Sequence, residues 1–519
     1  MISPAFASAS PGLTLEQMAG RLLMPTIDAA FVEKHAEEIR AGYLLAGMLA
    51  WDKHSAGELK ALRKRLDVLT GDGERFVLAV DHEGGPLFTQ RTAGLTIFPG
   101  NMALGATGDP DLAAQAARTS AAELSALGIG IVFAPVADVN SDPSNPIISI
   151  RAFGDDPATV SRFVSAAVRG YQQGGVIPVV KHFPGHGDTD TDSHTGLPVI
   201  DKSSMAIHAI DLVPFRGAFK VEGIGVMTAH IRVPALGSGT NPATLSAAIL
   251  RKLLREEMGF NGVVVSDSLE MKGVLKGRSV AAAAVQALQA GCDLLLIGRS
   301  DSQEVRRAIL AAVSEERIKE AYQRRFGGRA PGFFEDEPLE PAHIAERSVT
   351  LLRDRGGLLP MKGRGGTTLF IIHRSKRFAI EAEAFENAIK AQYPAAEILF
   401  LNPKPSPKEA SEALRRSRLA GKVVVSSYHW GRKPFPKQKR LIQRLLQLKK
   451  PVVFVSAMSP YDVPFYPEAK TVVLTYGFTK AALQAAVRLI AGEIRPKGRL
   501  PVSLSSRIPR GSGLGAFRQ

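Results

Sequence analysis

Within its first 300 residues the chain alternates short, continuously apolar runs with alanine- and leucine-rich segments, and it does so about eight times. The apolar runs lie at 21–25, 43–49, 76–80, 130–135, 176–180, 225–228, 263–266 and 293–297. Segments patterned as helices, such as 111–127, 157–173, 243–258 and 279–290, separate them. A strand that is apolar at every position has both faces covered, the condition of a parallel sheet flanked by helices. Eight such units in a stretch of this length predict an α/β fold of the (β/α)8 TIM-barrel type. A doubly wound open sheet is the structural alternative.

Polar residues stand where strand after strand ends: Asp81-His82-Glu83, Asp138 and Asn140, Lys181-His182, His230 and Asp267. In a barrel the C-terminal strand ends open onto one face, so these side chains converge on one pocket. In an open sheet they would spread along an edge.

A chain of 519 residues exceeds one compact core. Residues 325–340 (RFGGRAPGFFEDEPLE) read as a linker, followed by a helix at about 341–352. Strand-like runs then recur at 368–372, 397–401, 423–427, 452–456 and 471–475, which predicts a smaller α/β sandwich. The expected division is a barrel over 1–325, a linker over 326–345 and a second domain over 346–519.

Apolar residues make up 45% and charged residues 22%, the balance of a soluble globular protein. No uninterrupted run of 18 apolar residues exists, so no membrane span is expected. The single cysteine, Cys292, sits in an apolar stretch and reads as core. The opening MISPAFASASPG lacks a basic segment and a long apolar core, so a cytoplasmic location is the default. A secreted or wall-associated location follows instead if Ala5-Phe6-Ala7 is the remnant of a removed signal. The net charge is +15, and residues 404–450 carry fourteen lysines and arginines against Glu409 and Glu412. Such a run is either a solvated helical face or a contact for an anionic polymer such as cell wall. No zinc-finger, homeodomain or RNA-binding signature accompanies it, so nucleic acid is not an expected partner.

Residues 181–194 (KHFPGHGDTDTDSH) hold three histidines, three aspartates and a lysine directly after the fifth apolar run. His182 and His186 have the i, i+4 spacing of a zinc helix, but Pro184 and Gly185 break any helix between them. Asp188, Asp190 and Asp192 begin like a calcium loop, yet Ser193 stands where glycine is needed and Val199 where glutamate is needed. No metal is expected. Asp192 and His194 fit general acid–base work, because a carboxylate can orient an imidazole and stabilise its protonated form. The bland alternative is a solvated polar loop. Asp267 leaves a buried strand, as a nucleophile, a base or a helix N-cap. Asp81 suits sugar hydroxyls, and Arg151 reads equally as a ligand cation or an ion-pair partner.

Together DHEGG (81–85), FPGNMALGAT (98–107), APVADVN (134–140), RAFG (151–154), KHFPGHG (181–187), DSHTGLP (192–198), MTAHI (227–231) and SDSLEM (266–271) resemble the β-N-acetylglucosaminidase branch of glycoside hydrolase family 3. ERSVTLLRDRGGLLP (346–360) and GEIRPKGRLPVSL (492–504) resemble its second domain. The resemblance implies a retaining glycosidase without metal or organic cofactor. Asp267 would be the nucleophile, His194 the acid/base and Asp192 its orienting partner. Asp81, Lys181, His182 and Arg151 would bind sugar, with Arg91 as a further binding arginine. Here the chain departs from the family, reading GGPLFTQR with Pro86 in place of a first arginine. The implied substrate is terminal β-linked N-acetylglucosamine, from peptidoglycan fragments first and chitin oligosaccharides next. A phosphorylase using the same Asp-His pair is an alternative. The β-glucosidase branch is a rival that Ser268 and the histidine loop disfavour, and a non-catalytic sugar-binding protein is a reading of another class.

Overall fold

The computed structural model describes residues 12–193, 196–326, 338–361, 367–430 and 433–517. His194, Arg432, the N-terminal Ala5-Phe6-Ala7 and most of the expected linker lie outside the described residues.

β5 (Ile177–Phe183) is buried along its whole length and shows how the first half is built. Ile177 and Val179 point into a closed ring of strands, where they meet Met24, Ala79, Phe133, Met227 and Leu296. Val176 and Val180 point outward and pack against the surrounding helices. A run that is apolar throughout thus serves two cores at once, alternate residues going to each. The ring consists of β1 (Leu23–Ile27), β2 (Ala46–Leu49), β3 (Val77–Val80), β4 (Ile131–Val132), β5, β6 (Gly225–Thr228), β7 (Val263–Val265) and β8 (Leu295–Gly298). Its neighbours run in the order β7-β6-β5-β4-β3-β2-β1-β8, and every pair is parallel. A parallel bridge between Val265 and Leu294 closes the ring, and the Leu296 N–H donates to the Ser266 hydroxyl at 2.9 Å. This is the expected (β/α)8 barrel. The Phe326 ring plugs its N-terminal end against Gly225, where an added Cβ would come within 2.7 Å of the ring.

The outer helices start where the sequence supplies caps. Ser55, Asp109, Asp156, Ser279, Asp301 and Ser314 each accept a backbone N–H from the first turn of the helix that follows. The segment expected as one helix over 243–258 is instead a 3-10 turn, Ala243–Leu245, followed by a wider π-helical stretch, Ala248–Glu257.

The second sheet has the order β11-β10-β12-β13-β14-β9. Its strands are β9 (Thr350–Asp354), β10 (Thr368–His373), β11 (Glu397–Leu401), β12 (Lys422–Ser426), β13 (Val452–Ser456) and β14 (Thr471–Leu474). Five are parallel, and β9 runs antiparallel along β14. The helix expected over 341–352 ends at Ser348. The β-branched and apolar residues after it pair with the open edge of β14, and a free strand edge recruits such a segment more strongly than helix propensity holds it.

The loops after β10, β12 and β13 lie against the barrel loops after β2, β3 and β4. Asn140 Nδ2 donates to the Tyr461 hydroxyl at 2.7 Å, Arg91 meets Glu381 at 3.3 Å, and Trp430 packs on the Ile147, Ile148 and Ala152 cluster. The C-terminal face of the barrel and the second sheet therefore share one junction.

Candidate active site

A cavity of about 240 Å³ opens at the C-terminal face of the barrel. The ends of β3, β5 and β7 bring Asp81, Lys181, His182 and Asp267 to it, and the long loop after β4 brings Arg151. Apolar walls come from Phe133, Met227 and Leu296 below, and from Phe88, Ile147 and Met271 at the sides. Five of the eight expected site residues are thus gathered around one space. An irregularity in the β5–β6 register falls between Lys181 and Phe183. Such a bulge re-aims side chains at a barrel rim, and here consecutive residues Lys181 and His182 both reach the cavity.

The polar side chains form a chain of charge-assisted hydrogen bonds. Arg151 gives Nε and Nη2 to the two oxygens of Glu83, at 2.9 and 2.8 Å. Lys181 Nζ bridges Glu83 at 2.6 Å and Asp81 at 2.7 Å. Burial pushes the Glu83 carboxyl up, but Arg151 and Lys181 together outweigh it and hold the group down at about 2. The same contacts offset burial at both cations, whose pKa values end above their ordinary range. All three are therefore charged across the working pH range. Arg151 also donates through Nη1 to the Ile147 carbonyl at 3.2 Å, and its Nη2 lies 3.4 Å from His182 Nε2. A guanidinium has five N–H groups, so one Nη1 hydrogen is left for a ligand among the described contacts. Arg151 is an ion-pair partner, and its side chain also lines the cavity.

Asp138 organises the β5 loop. Its Oδ2 lies 2.7 Å from His182 Nδ1, and its Oδ1 accepts the His186 backbone N–H at 2.7 Å. Burial opposes ionisation of Asp138, but the His182 and His186 contacts prevail and keep its pKa below the ordinary value. His182 is so held with Nδ1 toward the carboxylate and Nε2 toward the cavity. His186 is enclosed, and burial pulls its pKa down to about 4. Its ring is neutral and structural, paired with the Thr189 hydroxyl at 2.8 Å and the Ser193 hydroxyl at 3.0 Å. Gly187 lets this loop press on β4's extension: an added Cβ would sit 1.8 Å from the Val139 carbonyl oxygen.

Asp267 stands at the end of β7, half-buried, and accepts the Ser268 N–H at 2.7 Å. It caps no helix, since the next one begins at Lys272. His194 lies outside the described residues, but both flanks are fixed beside the loop that follows Asp267. The Gly273 N–H donates to the Ser193 carbonyl at 3.1 Å, and the Gly196 N–H donates to the Asp192 carbonyl at 3.1 Å. An added Cβ on Gly273 would meet the Ser193 and Gly196 carbonyl oxygens at 2.8 Å each.

Arg91 is the expected binding residue that the structure takes elsewhere. Its Nε and Nη2 bond Asp52 at 3.0 and 2.8 Å, and its Nη1 reaches the Arg377 carbonyl and Glu381 of the second domain. The residues between Gly85 and Arg91 carry it past the cavity, and Phe88 fills the wall instead. From the sequence Glu83 and Asp138 were named only among the polar residues at strand ends, without a role, and His186 only for its spacing from His182. Glu83 had a signal, since it shares with Asp81 the parity of one strand face. Glu270 lies in an exposed turn and accepts from the Arg299 N–H at 3.0 Å.

A parallel barrel with carboxylates, cations and imidazoles gathered at its C-terminal strand ends defines an enzyme of the TIM-barrel class. Residues 14–325 match the glycosyl hydrolase family 3 N-terminal domain and residues 349–511 its C-terminal domain. The chain belongs to glycosyl hydrolase family 3, and is a glycoside hydrolase. It is 29% identical over 513 residues to beta-hexosaminidase A of Pseudoalteromonas piscicida, covering 82% of this chain and 83% of that one. It is 34% identical over 310 residues to a beta-hexosaminidase of Chromobacterium violaceum, covering 58% of this chain and 85% of the relative. The structure of a family 3 beta-N-acetylglucosaminidase from Paenibacillus sp. str. FPU-7 superposes with a TM-score of 0.86 at 32% identity, covering 95% of this chain and 99% of that one.

Proposed function

We propose that the protein is a retaining exo-β-N-acetylhexosaminidase that removes terminal non-reducing β-linked N-acetylglucosamine. The observation that carries this reading is the 240 Å³ cavity whose wall includes Asp267 together with Asp81, Lys181 and Arg151. The names of the relatives point the same way.

In this mechanism a carboxylate oxygen of Asp267 attacks the anomeric carbon while the His194 imidazolium gives its proton to the glycosidic oxygen. The C–O bond breaks and the aglycone leaves as an alcohol. Water then attacks the glycosyl ester, His194 takes the proton, and Asp267 is released as carboxylate. Asp192 orients the imidazole. Asp81, Lys181, His182 and Arg151 hold the ring hydroxyls, and their charges are already paired, so little reorganisation is needed when sugar enters. Ser193 and Gly196, which flank His194 in the chain, pack against Gly273 in the segment that follows Asp267, which supports a role for this loop at the site.

Peptidoglycan fragments of the GlcNAc-MurNAc type are the favoured substrates. The basic helices Pro407–Leu419 and Pro436–Leu446 carry eight cations, Lys408, Arg415, Arg416, Arg418, Lys437, Lys439, Arg440 and Arg444, against Glu409 and Glu412. They would add a contact to anionic wall polymer, and retention on isolated wall material should then fall as salt rises. No described helix is long and apolar enough to cross a membrane. The decisive experiment is trapping with a fluorinated N-acetylglucosaminide. The peptide containing Asp267 should gain the mass of the sugar; labelling elsewhere, or none in a turning-over enzyme, rejects the mechanism.

A further inference from the structure

Between β4 and the helix Pro157–Gln173 the chain forms a long loop whose regular structure is one short 3-10 turn, Ser149–Arg151. A loop of this kind takes its shape from what it packs against. On the cavity side, Arg151 is held by Glu83 and lies 4.2 Å from the centre of the Phe88 ring. On the other side, the second domain holds the loop at three places.

Asn140 carries the first contact. Its Oδ1 accepts the Ser149 N–H at 2.8 Å, and its Nδ2 donates to the Tyr461 hydroxyl at 2.7 Å. Ser149 has a φ of +45°, a left-handed conformation. That conformation is costly for a residue with a side chain and persists only where its surroundings fix it. The Ser149 hydroxyl lies 3.4 Å from the Ser459 hydroxyl. The turn leads directly into Arg151, whose Nη1 bonds the Ile147 carbonyl of the same loop at 3.2 Å. Trp430 makes the second contact, packing on Ile147, Ile148 and Ala152. Ile147 and Arg151 both line the cavity, so Trp430 backs a stretch of its wall. The third contact closes the far end of the loop. The Asp155 N–H donates to the Pro501 carbonyl at 3.3 Å, and the Ser503 N–H donates to Asp155 Oδ2 at 2.6 Å.

The second domain offers these groups from a fixed edge. Trp430 follows β12, and Ser459 and Tyr461 follow β13, at the carboxyl ends of parallel strands. The Ser456 hydroxyl donates to Asp462 Oδ1 at 2.8 Å and ties the turn Pro460–Phe465, which carries Tyr461, to the end of β13. In an open parallel sheet this edge commonly takes a ligand; here it takes a loop of the barrel.

We propose that Tyr461 and Trp430 are positioning residues for Arg151: by bracing the β4 loop from outside, the second domain sets where the guanidinium stands in the cavity and so how tightly the sugar ring is held. This rests on the reading of Arg151 as a sugar-binding residue and deepens it. Neither Tyr461 nor Trp430 is among the residues lining the cavity, so each acts through the loop.

The test is a double-mutant cycle in the full chain. It is read as kcat and KM for nitrophenyl N-acetylglucosaminide and as the inhibition constant of free N-acetylglucosamine. Arg151→Lys keeps the charge beside Glu83 but loses the planar fork, and should raise both KM and the inhibition constant. Tyr461→Phe removes one hydroxyl. It should raise both roughly two- to tenfold, the worth of one neutral hydrogen bond, with kcat within about twofold of wild type. Trp430→Ala should do the same more strongly, and Trp430→Phe should restore most of the loss. In the Arg151→Lys background Tyr461→Phe should add little, because residues that act through one another are not additive. A role in folding alone reads differently: apparent kcat falls with the active fraction while KM and the inhibition constant hold their values. That result, or losses that multiply in full in the double variant, overturns the inference while Arg151 keeps its role. An Arg151→Lys enzyme with unchanged KM and inhibition constant removes Arg151 from sugar binding, and the inference falls with that assignment.

Discussion

Glu83 and Arg151 form a two-pronged ion pair, 2.9 and 2.8 Å long, with side chains 1% and 5% exposed. The pair joins the β3 end to the β4 loop and fixes one wall of the cavity. Removing one partner of such a buried pair leaves an uncompensated charge, typically costing about 3–5 kcal/mol. Glu83→Gln should therefore lower the denaturation midpoint markedly and raise KM, because Arg151 and Lys181 lose their anchor. Denaturant titration beside steady-state kinetics checks this; a variant as stable as wild type would show that the pair is dispensable.

His194→Ala is expected to slow the enzyme in proportion to how poor the leaving group is. Nitrophenyl glycosides need little protonation and should lose least, and disaccharides should lose most, by about 10²–10⁴-fold. A leaving-group series measures the slope. Equal losses across the series would contradict the acid role.

Gly187 is packed so that an added Cβ would overlap the Val139 backbone at 1.8 Å. Gly187→Ala must move the loop carrying His186 and so disturb the Asp138 contact that orients His182. Overpacking of this kind costs about 1–3 kcal/mol. The expected result is a folded protein, by circular dichroism, with kcat/KM lowered about tenfold or more. Undiminished activity would show that the loop's position is not critical.

The pH dependence of stability has a clear sign at His373, which is buried in the second domain. Burial pulls its pKa down to about 4 from an ordinary 6.5. Between those values the unfolded chain binds a proton that the folded chain refuses. The contribution is fully present above pH 6.5 and is lost progressively as pH falls toward 4, by up to about 3 kcal/mol. Asp462, pushed up to about 7 by burial, works in the opposite sense: its contribution is present at low pH and is lost as pH rises through 7. His373→Asn should accordingly flatten the loss of stability between pH 6.5 and 4, measured by urea titration at several pH values. An unchanged slope would show that the ring is protonated in the folded state.

Much of this protein is legible from the chain because its barrel strands are apolar at every position. Eight such runs have few ways to hide both faces, and the strands at Gly225–Thr228, Glu397–Leu401 and Val452–Ser456 fall where the sequence predicts them. The gathering of Asp81, Lys181, His182 and Asp267 follows from the same rule, since residues just past barrel strands share a face. The helix expected through 352 failed because its last residues had a strand edge to pair with, and no local pattern announces a distant partner.

Sequence alone determined the barrel and the chemistry at its strand ends, because both are set by residue order and by which side chains tolerate water. Tertiary structure alone decided that Glu83 bridges Arg151 and Lys181, that Asp138 holds two histidine segments, and that Arg91 is spent on Asp52 and Glu381. Each depends on groups tens to hundreds of residues apart meeting within 3.5 Å, and charge pairing at that range is settled only when the packed elements fix where each side chain ends.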